Sequence, residues 1–255
     1  MSEKTIGLIA GVGPFAGADL FNKILEETVA AKDQDHLTVL SLSGPSEILD
    51  RTEYLLGKVA ENPGHALARQ LRRLAQAGAE VIGIPCNTAH SPQIFSLVQA
   101  EADRCGVQLL HMIGETGRFL REERPFLHTI GILSTTGTYL TRIYPNVLEP
   151  LGFAVQVPER EMQEEVVHTA VYHPSYGIKA CGIATPQAVA NLEQAMVWLQ
   201  QQKGAEAIVL GCTEMPLAIQ SSQWRGLHIV DPTRILARGL IREACQAKLK
   251  PIHER

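Results

Sequence analysis

The chain of 255 residues is 45% hydrophobic and 20% charged and has a net charge of −4. This is the composition of an ordinary globular protein without the basic surface of a nucleic-acid binder. No apolar run approaches the ~18 residues of a membrane span, and the N-terminus lacks the basic and long apolar segments of a secretory signal, so neither a membrane partner nor secretion is expected.

The five cysteines are odd in number and irregularly spaced. A chain of this length has a core of its own, so a disulfide framework is not expected and a reducing environment fits better. No Cys-x-x-Cys motif or Cys/His cluster has the spacing of a zinc site, so no metal is expected. The cysteine pattern therefore predicts a cytoplasmic protein with free thiols.

Short aliphatic runs alternate with longer amphipathic stretches along the chain. The predicted strands are residues 5–10, 37–42, 81–85, 108–112, 129–133, 154–157, 207–210 and 228–230. The predicted helices are residues 18–31, 62–77, 94–105, 138–148, 186–202 and 232–248. Strands that alternate with helices of this length predict βαβ units and parallel sheets, and the continuous apolar strands indicate sheets covered on both faces.

Two pairs of similar segments suggest an internal duplication. Residues 5–9 (TIGLI) resemble residues 129–133 (TIGIL), which lie 124 residues further along the chain. An apolar run ending in Cys86 resembles one ending in Cys212, which lies 126 residues further along. Two registers that agree this closely indicate a repeated α/β unit.

The repeat predicts two domains, the first of them discontinuous. The first domain is expected to comprise residues 1–113 and 218–255, and the second residues 114–217. In this interpretation the tail returns to the first domain, where its strand completes the first sheet.

Cys86 and Cys212 each stand where a strand ends and a helix is predicted to begin, which is the edge of a parallel sheet where ligands bind. Asn87 and Thr88 follow one cysteine and Thr213 the other, and these residues suit helix capping. A helix N-terminus lowers the pKa of a thiol and binds carboxylates. The pair predicts two reactive thiols, able to take a proton from one side of a carbon and return it on the other.

The remaining cysteines have no matching context. Cys105 and Cys245 are interpreted as packing residues on helices and Cys181 as a loop residue. His90 is interpreted as a helix-start residue, the alternative being that it orders the turn after Cys86.

The two cysteine motifs, PCNTAH at 85–90 and GCTEMP at 211–216, resemble those of the cofactor-independent aspartate/glutamate racemase superfamily. Three further segments agree in the same order. GVGP at 11–14 resembles the first glycine-rich loop of that superfamily, LDRTEYLL at 49–56 its substrate-arginine segment, and YGIK at 176–179 its substrate-lysine segment.

Within the superfamily the chain resembles the aspartate branch. Glutamate racemases usually have Asp-Ser in the first loop and His after the second Cys-Thr, where this chain has Gly11-Val12 and Glu214. One departure is Gly17, where a Thr is common. The glycine removes a hydroxyl group that would be a candidate substrate donor.

The resemblance implies a fold, an activity and an assembly. The fold would be two similar three-layer α/β/α domains with parallel sheets, related by a pseudo-twofold axis, with the active site in the cleft between them. One thiolate would remove the α-proton of a small acidic amino acid and the other thiol would protonate the opposite face, without pyridoxal phosphate or another cofactor. A homodimer is also implied.

Each candidate site residue has an expected role. Fixed donors must stabilise the enediolate, a task for Asn87, Thr88, Thr213 and nearby backbone N–H groups. Glycines let the first loop approach the substrate closely. By resemblance, Arg51 and Lys179 would bind the side-chain carboxylate, and Glu214 would assist proton transfer or bind the substrate ammonium. The complete set is Cys86 and Cys212 as catalytic residues, with Gly11, Val12, Gly13, Arg51, Asn87, Thr88, Lys179, Thr213 and Glu214 as substrate-binding residues.

Three other functions compete with this interpretation. Residues 11–16 fit the loose pattern G-x-G-x-x-A of a nucleotide site, but no acidic residue follows the second predicted strand at 41–44. The same fold and thiols would also serve a maleate-type isomerase, a hydantoin racemase or a decarboxylase. A non-catalytic dicarboxylate-binding protein would keep Arg51 and Lys179 but would need neither thiol.

Overall fold

The computed structural model describes residues 3–252, which form two compact units. Among these residues, the first unit contains those up to Thr116 and those from Thr233 onward, and the second unit is Gly117–Pro232. The chain passes between the units within helix α5 (Met112–Glu123) and at the start of helix α12 (Pro232–Cys245).

The first unit contains a parallel four-stranded sheet in the order β2-β1-β3-β4. Its strands are β1 (Ile6–Ile9), β2 (Val39–Leu42), β3 (Val81–Gly83) and β4 (Gln108–Leu109). Its other helices are α1 (Pro14–Glu27), α2 (Arg51–Leu55), α3 (Gly64–Gln76) and α4 (Pro92–Cys105). The central strands β1 and β3 are fully buried, as their apolar runs predict.

Alternate side chains of β1 enter two different cores. Ile6 and Leu8 pack with residues of α1 and α12, while Ile9 packs with residues of α3 and α4. This follows from the alternation of side chains along a strand. Helices therefore cover both faces of the sheet, and the unit has three layers.

The second unit contains a five-stranded sheet in the order β6-β5-β7-β9-β8, parallel except for β8. Its strands are β5 (Thr129–Ser134), β6 (Ala154–Gln156), β7 (Ala207–Gly211), β8 (Gln223–Trp224) and β9 (Leu227–Val230). Its other helices are α6 (Thr136–Leu140), α7 (Ile143–Leu148), α8 (Arg160–Met162), α9 (His168–Tyr172), α10 (Ile178–Cys181) and α11 (Pro186–Lys203). Residues of β5 and β7 share one core with α9 and α11.

The two strand orders match, with β5, β6, β7 and β9 in the places of β1, β2, β3 and β4. The predicted α/β architecture with parallel sheets is confirmed. The expectation that the strand of the tail completes the first sheet is wrong, because β9 pairs with β7. The second unit extends to Pro232, beyond the predicted boundary at 217, because the repeat includes a fourth strand that the prediction assigned to the first sheet.

One predicted helix is divided. Residues 138–148 were predicted as a single helix, but α6 ends at Leu140 and α7 begins at Ile143, with Arg142 between them at a φ of 49°. That left-handed conformation interrupts a right-handed helix. No helix within residues 3–252 is both long enough and apolar enough to cross a membrane.

An ion-pair cluster attaches α12 to α1. The Glu27 carboxylate accepts from Arg234 at 2.6 Å and from Arg238 at 2.5 Å. Burial alone would raise the pKa of Glu27, but hydrogen bonds and charge from the two guanidinium groups outweigh it and lower that pKa below 4.5. A carboxyl group with a lowered pKa stabilises the fold at pH values above the ordinary pKa of glutamate. This contribution is lost as the pH falls through the lowered pKa of the folded state.

We predict that Glu27→Gln lowers the free energy of unfolding at pH 7 by about 1–3 kcal/mol, since charged hydrogen bonds are lost in a partly buried place. Urea unfolding at pH 7 and below pH 4 checks this, and the difference from wild type should shrink at the lower pH. Glu26→Gln is the control, because Glu26 is exposed and pairs with Arg234 alone, and it should cost less than about 1 kcal/mol. Equal losses for the two variants would contradict the prediction.

Candidate active site

The predicted site residues of the first unit lie beyond the carboxyl ends of β1 and β3. Gly11 and Val12 form a 3-10 turn directly after β1, and Gly13 precedes α1. Cys86 follows β3 and is half-buried, while the adjacent Asn87 and Thr88 are buried. Since β1 and β3 are parallel neighbours, both loops emerge at one edge of the sheet.

Arg51 is bound to the first loop. It begins α2, which is capped by the Asp50 side chain. Its buried guanidinium donates to the Val12 carbonyl at 2.9 Å and to the Leu49 carbonyl at 3.0 Å. The structure thus brings together two segments, 11–14 and 49–56, that the sequence had linked only by resemblance. The bonds also give Arg51 a structural task, since they hold the loop that follows β1.

Glycines allow two backbone segments to approach this loop. A Cβ on Gly11 would lie 2.5 Å from the backbone nitrogen of Gly44, in the loop after β2. A Cβ on Gly17 would collide with the carbonyl oxygen of Ala10. The glycine at 17 is therefore matched to close packing of α1 on the turn after β1, and a threonine there would require the helix to move.

The turn after Cys86 is held by His90. The Cys86 amide donates to the Ile84 carbonyl at 2.8 Å, and the Cys86 carbonyl lies 2.8 Å from Nδ1 of His90. Because a carbonyl can only accept, Nδ1 must carry the proton. His90 belongs to a 3-10 turn, Thr88–His90, that precedes α4. The interpretation of His90 as only a helix-start residue is wrong, and the alternative that it orders this turn is correct.

His90 is neutral over the physiological pH range. Its ring is buried and stacks on Phe95 at 5.1 Å, with the edge of His111 at 4.9 Å. Burial, followed by the charge of a protonated His111, lowers the pKa of His90 to about 3. A neutral imidazole with a fixed tautomer is a stable support for the backbone that carries Cys86.

The predicted site residues of the second unit converge on one carboxylate. Glu214 accepts from the Lys179 ammonium through Oε1 at 2.5 Å. Its Oε2 lies 3.0 Å from the Cys212 sulfur and 3.3 Å from the Thr213 hydroxyl. All four residues therefore lie in one cluster, although Lys179 is far from the others in the sequence. The carboxylate stands between a thiol and an ammonium group.

The pKa of the Cys212 thiol is raised well above its ordinary value, first by burial and then by the negative charge of Glu214. This differs from the expected helix-activated thiol. Only a 3-10 turn, Met215–Leu217, follows Cys212, and no α-helix begins there to supply a dipole. In the resting structure Cys212 is thus a proton-bearing thiol that donates to Glu214.

The ionised forms of Lys179 and Glu214 stabilise each other. Burial opposes charge on both groups. The charge of Glu214 nonetheless raises the pKa of Lys179, and the charge of Lys179 lowers the pKa of Glu214, to which the Cys212 hydrogen bond contributes further. The Lys179 ammonium also lies 5.7 Å from the centre of the Tyr172 ring, which favours a cation.

A close backbone approach places Lys179. The short helix α10 begins after Gly177, whose amide donates to the His173 carbonyl at 2.8 Å. A Cβ on Gly177 would lie 2.5 Å from the backbone nitrogen of His173. Only glycine fits here without displacement, so the YGIK motif contains a structural requirement beside its lysine. Cys181, predicted in a loop, ends this helix.

Sequence reasoning missed the polar segment that runs from the end of β5 into α6. Ser134, Thr135 and Thr138 are buried at the place in the second unit that corresponds to the first glycine-rich loop. The Ser134 carbonyl accepts from buried Gln163 at 2.8 Å, and Ser134 pairs in register with Gly211, which precedes Cys212. Gln163 begins a π-helix, Gln163–Val167, of a kind often found near functional sites. Applying the repeat to the first loop would have identified the serine and threonines.

We predict that His90→Phe, which keeps the stacked ring, lowers the free energy of unfolding at pH 7 by about 1–3 kcal/mol, because the part-buried Cys86 carbonyl loses its donor. His90→Asn is the control, since its amide can replace that donor, and it should lose less.

A second expectation concerns pH. The folded-state pKa of His90 is below its unfolded value of 6.5, so its contribution is complete above pH 6.5 and declines as the pH falls toward about 3. Wild type should lose up to about 1.4 kcal/mol per pH unit from this residue, and both variants should lose less. Identical pH dependence of unfolding in wild type and His90→Phe would contradict this.

A family model, that of the Asp/Glu/Hydantoin racemases, matches residues 9–240. A broad-specificity amino-acid racemase of Bacillus subtilis, RacX, is 22% identical over 92% of this chain and 96% of its own length.

Solved structures with the same fold cover nearly the whole chain. An aspartate racemase of Picrophilus torridus is 27% identical, with a TM-score of 0.76 over 97% of this chain and 96% of that chain. A glutamate racemase of Francisella tularensis, solved with D-glutamate, is 15% identical, with a TM-score of 0.69 over 100% of this chain and 86% of that chain, and shows the fold alone.

The resemblance inferred from the cysteine motifs and the glycine-rich loop is therefore confirmed, including the likeness to the aspartate branch. The family and the neighbouring structures support an amino-acid racemase. The chain belongs to the Asp/Glu/Hydantoin racemase family.

Proposed function

We propose that this protein is a cofactor-independent racemase that interconverts the L and D forms of aspartate, or of a closely related acidic amino acid, with Cys86 and Cys212 as its two acid/base groups. The observation that carries the proposal is the equivalence of the two thiols. Both are free, and they follow β3 and β7, which occupy the same place in the two sheets. Each copy of the repeat has one thiol beyond the carboxyl end of this strand, and together the two thiols supply the two bases that inversion of a carbon requires.

In this mechanism one thiolate removes the α-proton and the opposite thiol delivers a proton to the other face. The roles exchange when the substrate has the other configuration. An α-proton is weakly acidic, so fixed hydrogen-bond donors must stabilise the enediolate that develops. The buried side chains of Asn87, Thr88 and Thr213, each within two residues of a proposed catalytic cysteine, suit this task.

The distal carboxylate of the substrate would be bound by Arg51 and Lys179. Arg51 suits a planar carboxylate because its guanidinium donates in two places. Glu214 would serve as the proton partner of Cys212, a role supported by the 3.0 Å contact between its carboxylate and the sulfur. Gly11, Val12 and Gly13 would form the backbone wall beside Arg51, which the Val12–Arg51 hydrogen bond supports.

The substrate range is the part of the proposal most open to test. The likeness to the aspartate racemase of P. torridus supports an acidic substrate, whereas the likeness to the broad-specificity racemase of B. subtilis supports a wider range. The proposal further includes a cytoplasmic homodimer, for which light scattering of the purified protein gives the mass in solution.

We predict that Cys86→Ser and Cys212→Ser each lower the rate of aspartate racemisation by about 10²–10⁴-fold, because one face of the carbon loses its acid/base group. Chiral analysis of L-aspartate incubated in D2O under reducing conditions, together with loss of the α-proton NMR signal, measures this. Cys105→Ser is the control and should keep full activity, since Cys105 lies at the end of α4 and contacts Glu101. Full turnover in either active-site variant would reject the two-thiol mechanism.

We predict that Arg51→Ala lowers kcat/KM for aspartate by about 10–100-fold, the loss expected for a charged hydrogen bond, and affects α-proton exchange of alanine less. Arg51→Lys keeps the charge but loses the two-pronged guanidinium, so its kcat/KM for aspartate should lie between those of wild type and Arg51→Ala. Equal losses on aspartate and alanine would show that Arg51 acts only by holding the Val12 loop.

A further inference from the structure

The Glu214 carboxylate accepts hydrogen bonds from two donors, the Lys179 ammonium and the Cys212 thiol. One oxygen binds the Lys179 ammonium and the other accepts the Cys212 proton donor, at 2.5 and 3.0 Å. Any change in how strongly Lys179 holds the carboxylate must therefore change how strongly the carboxylate attracts the proton of Cys212.

The two members of the ion pair differ in exposure. The Lys179 side chain is 25% exposed, whereas the Glu214 side chain is 5% exposed. Lys179 is therefore the more accessible member of the pair, and an incoming anion would meet it before Glu214. An ammonium group has three N–H donors, so Lys179 can donate to a second carboxylate without first releasing Glu214.

The resting pair keeps Cys212 inactive. While Lys179 is paired with Glu214, that carboxylate is a weak base. The charge of Lys179 by itself lowers the pKa of Cys212, but burial and the charge of Glu214 outweigh it, and the sulfur retains its proton. The free thiol is a poor acceptor for an α-proton, because the thiolate is the reactive form. For Cys212 to remove an α-proton, its thiol must first lose a proton and become a thiolate.

We propose that the Lys179–Glu214 ion pair is a charge switch operated by the substrate. The side-chain carboxylate of an acidic amino acid binds the Lys179 ammonium beside Glu214 and weakens its bond to Glu214, whose carboxylate then accepts the proton of Cys212. This inference rests on the proposed racemase function and adds that the acidic side chain activates the enzyme as well as binding to it.

The step is a proton transfer within the site. The S–H bond of Cys212 breaks, an O–H bond forms at Oε2 of Glu214, and one negative charge moves from the carboxylate to the sulfur, with no net change in charge. Two carboxylates that share one ammonium repel each other, which raises the pKa of one of them. Moving the charge to sulfur relieves that repulsion, and the thiolate then removes the α-proton.

The switch affects a different kinetic parameter from simple binding. If Lys179 only held the carboxylate, its loss would raise KM for aspartate and leave a neutral amino acid unaffected. If it also restrains Glu214, a neutral amino acid binds without activating Cys212, and removal of the lysine charge releases that restraint.

The test measures α-proton exchange in D2O for L-aspartate and L-alanine, with wild type, Lys179→Gln and the charge-keeping Lys179→Arg. We expect Lys179→Gln to lower exchange of aspartate and to raise exchange of alanine. The increase for alanine should be about tenfold for each pH unit by which the gap between the pKa of Cys212 and the pKa of Glu214 becomes smaller. Lys179→Arg, which keeps the positive charge, should raise alanine exchange less than Lys179→Gln does. Unchanged or reduced alanine exchange in a folded Lys179→Gln protein would overturn the switch.

A second measurement uses wild type alone, so that a misfolded variant does not decide the result. Sodium acetate, which supplies the carboxylate that alanine lacks, should increase alanine exchange with saturation, whereas sodium chloride at equal ionic strength should not. No effect of acetate on alanine exchange, in protein that exchanges aspartate, would also overturn the switch. Wild type that exchanges neither amino acid would instead reject the proposed function itself.

Discussion

Burial of both faces of each parallel sheet is the constraint on which the candidate site depends. Strands β1 and β3 are fully buried, and helices of two different cores cover them. A charged or reactive side chain within such a strand would lose its hydration without a partner. The chemistry is therefore confined to the loops at the strand ends, where the polar residues and both thiols of interest occur.

The duplication places the two thiols alike but surrounds them differently. Cys86 is half-buried, and its backbone is held by the neutral ring of His90. Cys212 is buried, and its sulfur contacts a carboxylate that is paired with an ammonium. A racemase must handle two mirror-related substrates, yet its two halves need not be chemically symmetric. The charge switch proposed here would act on only one of the two thiols.

Several residues of the motifs have structural tasks beside their proposed chemical ones. Arg51 bonds the Val12 carbonyl, and Gly177 allows the backbone approach that positions Lys179. Gly17, a departure from the family pattern, fits against Ala10 where a side chain would collide. Substitution at such positions changes geometry and chemistry together, so the conservative variants and the neutral substrate are needed to separate the two effects.

The sequence by itself determined the repeat, the parallel α/β architecture, the family and the two cysteines, because apolar periodicity and short motifs are local properties of the chain. The tertiary structure decided the strand partner of β9, since that pairing depends on a fourth strand of the repeat that lies outside the similar segments. It also decided the electrostatic state of Cys212, which a helix dipole was expected to activate. The pKa of that thiol depends on burial and on the charge of Glu214, whose own state is governed by Lys179 from a distant segment, and no local pattern specifies such a through-space contact.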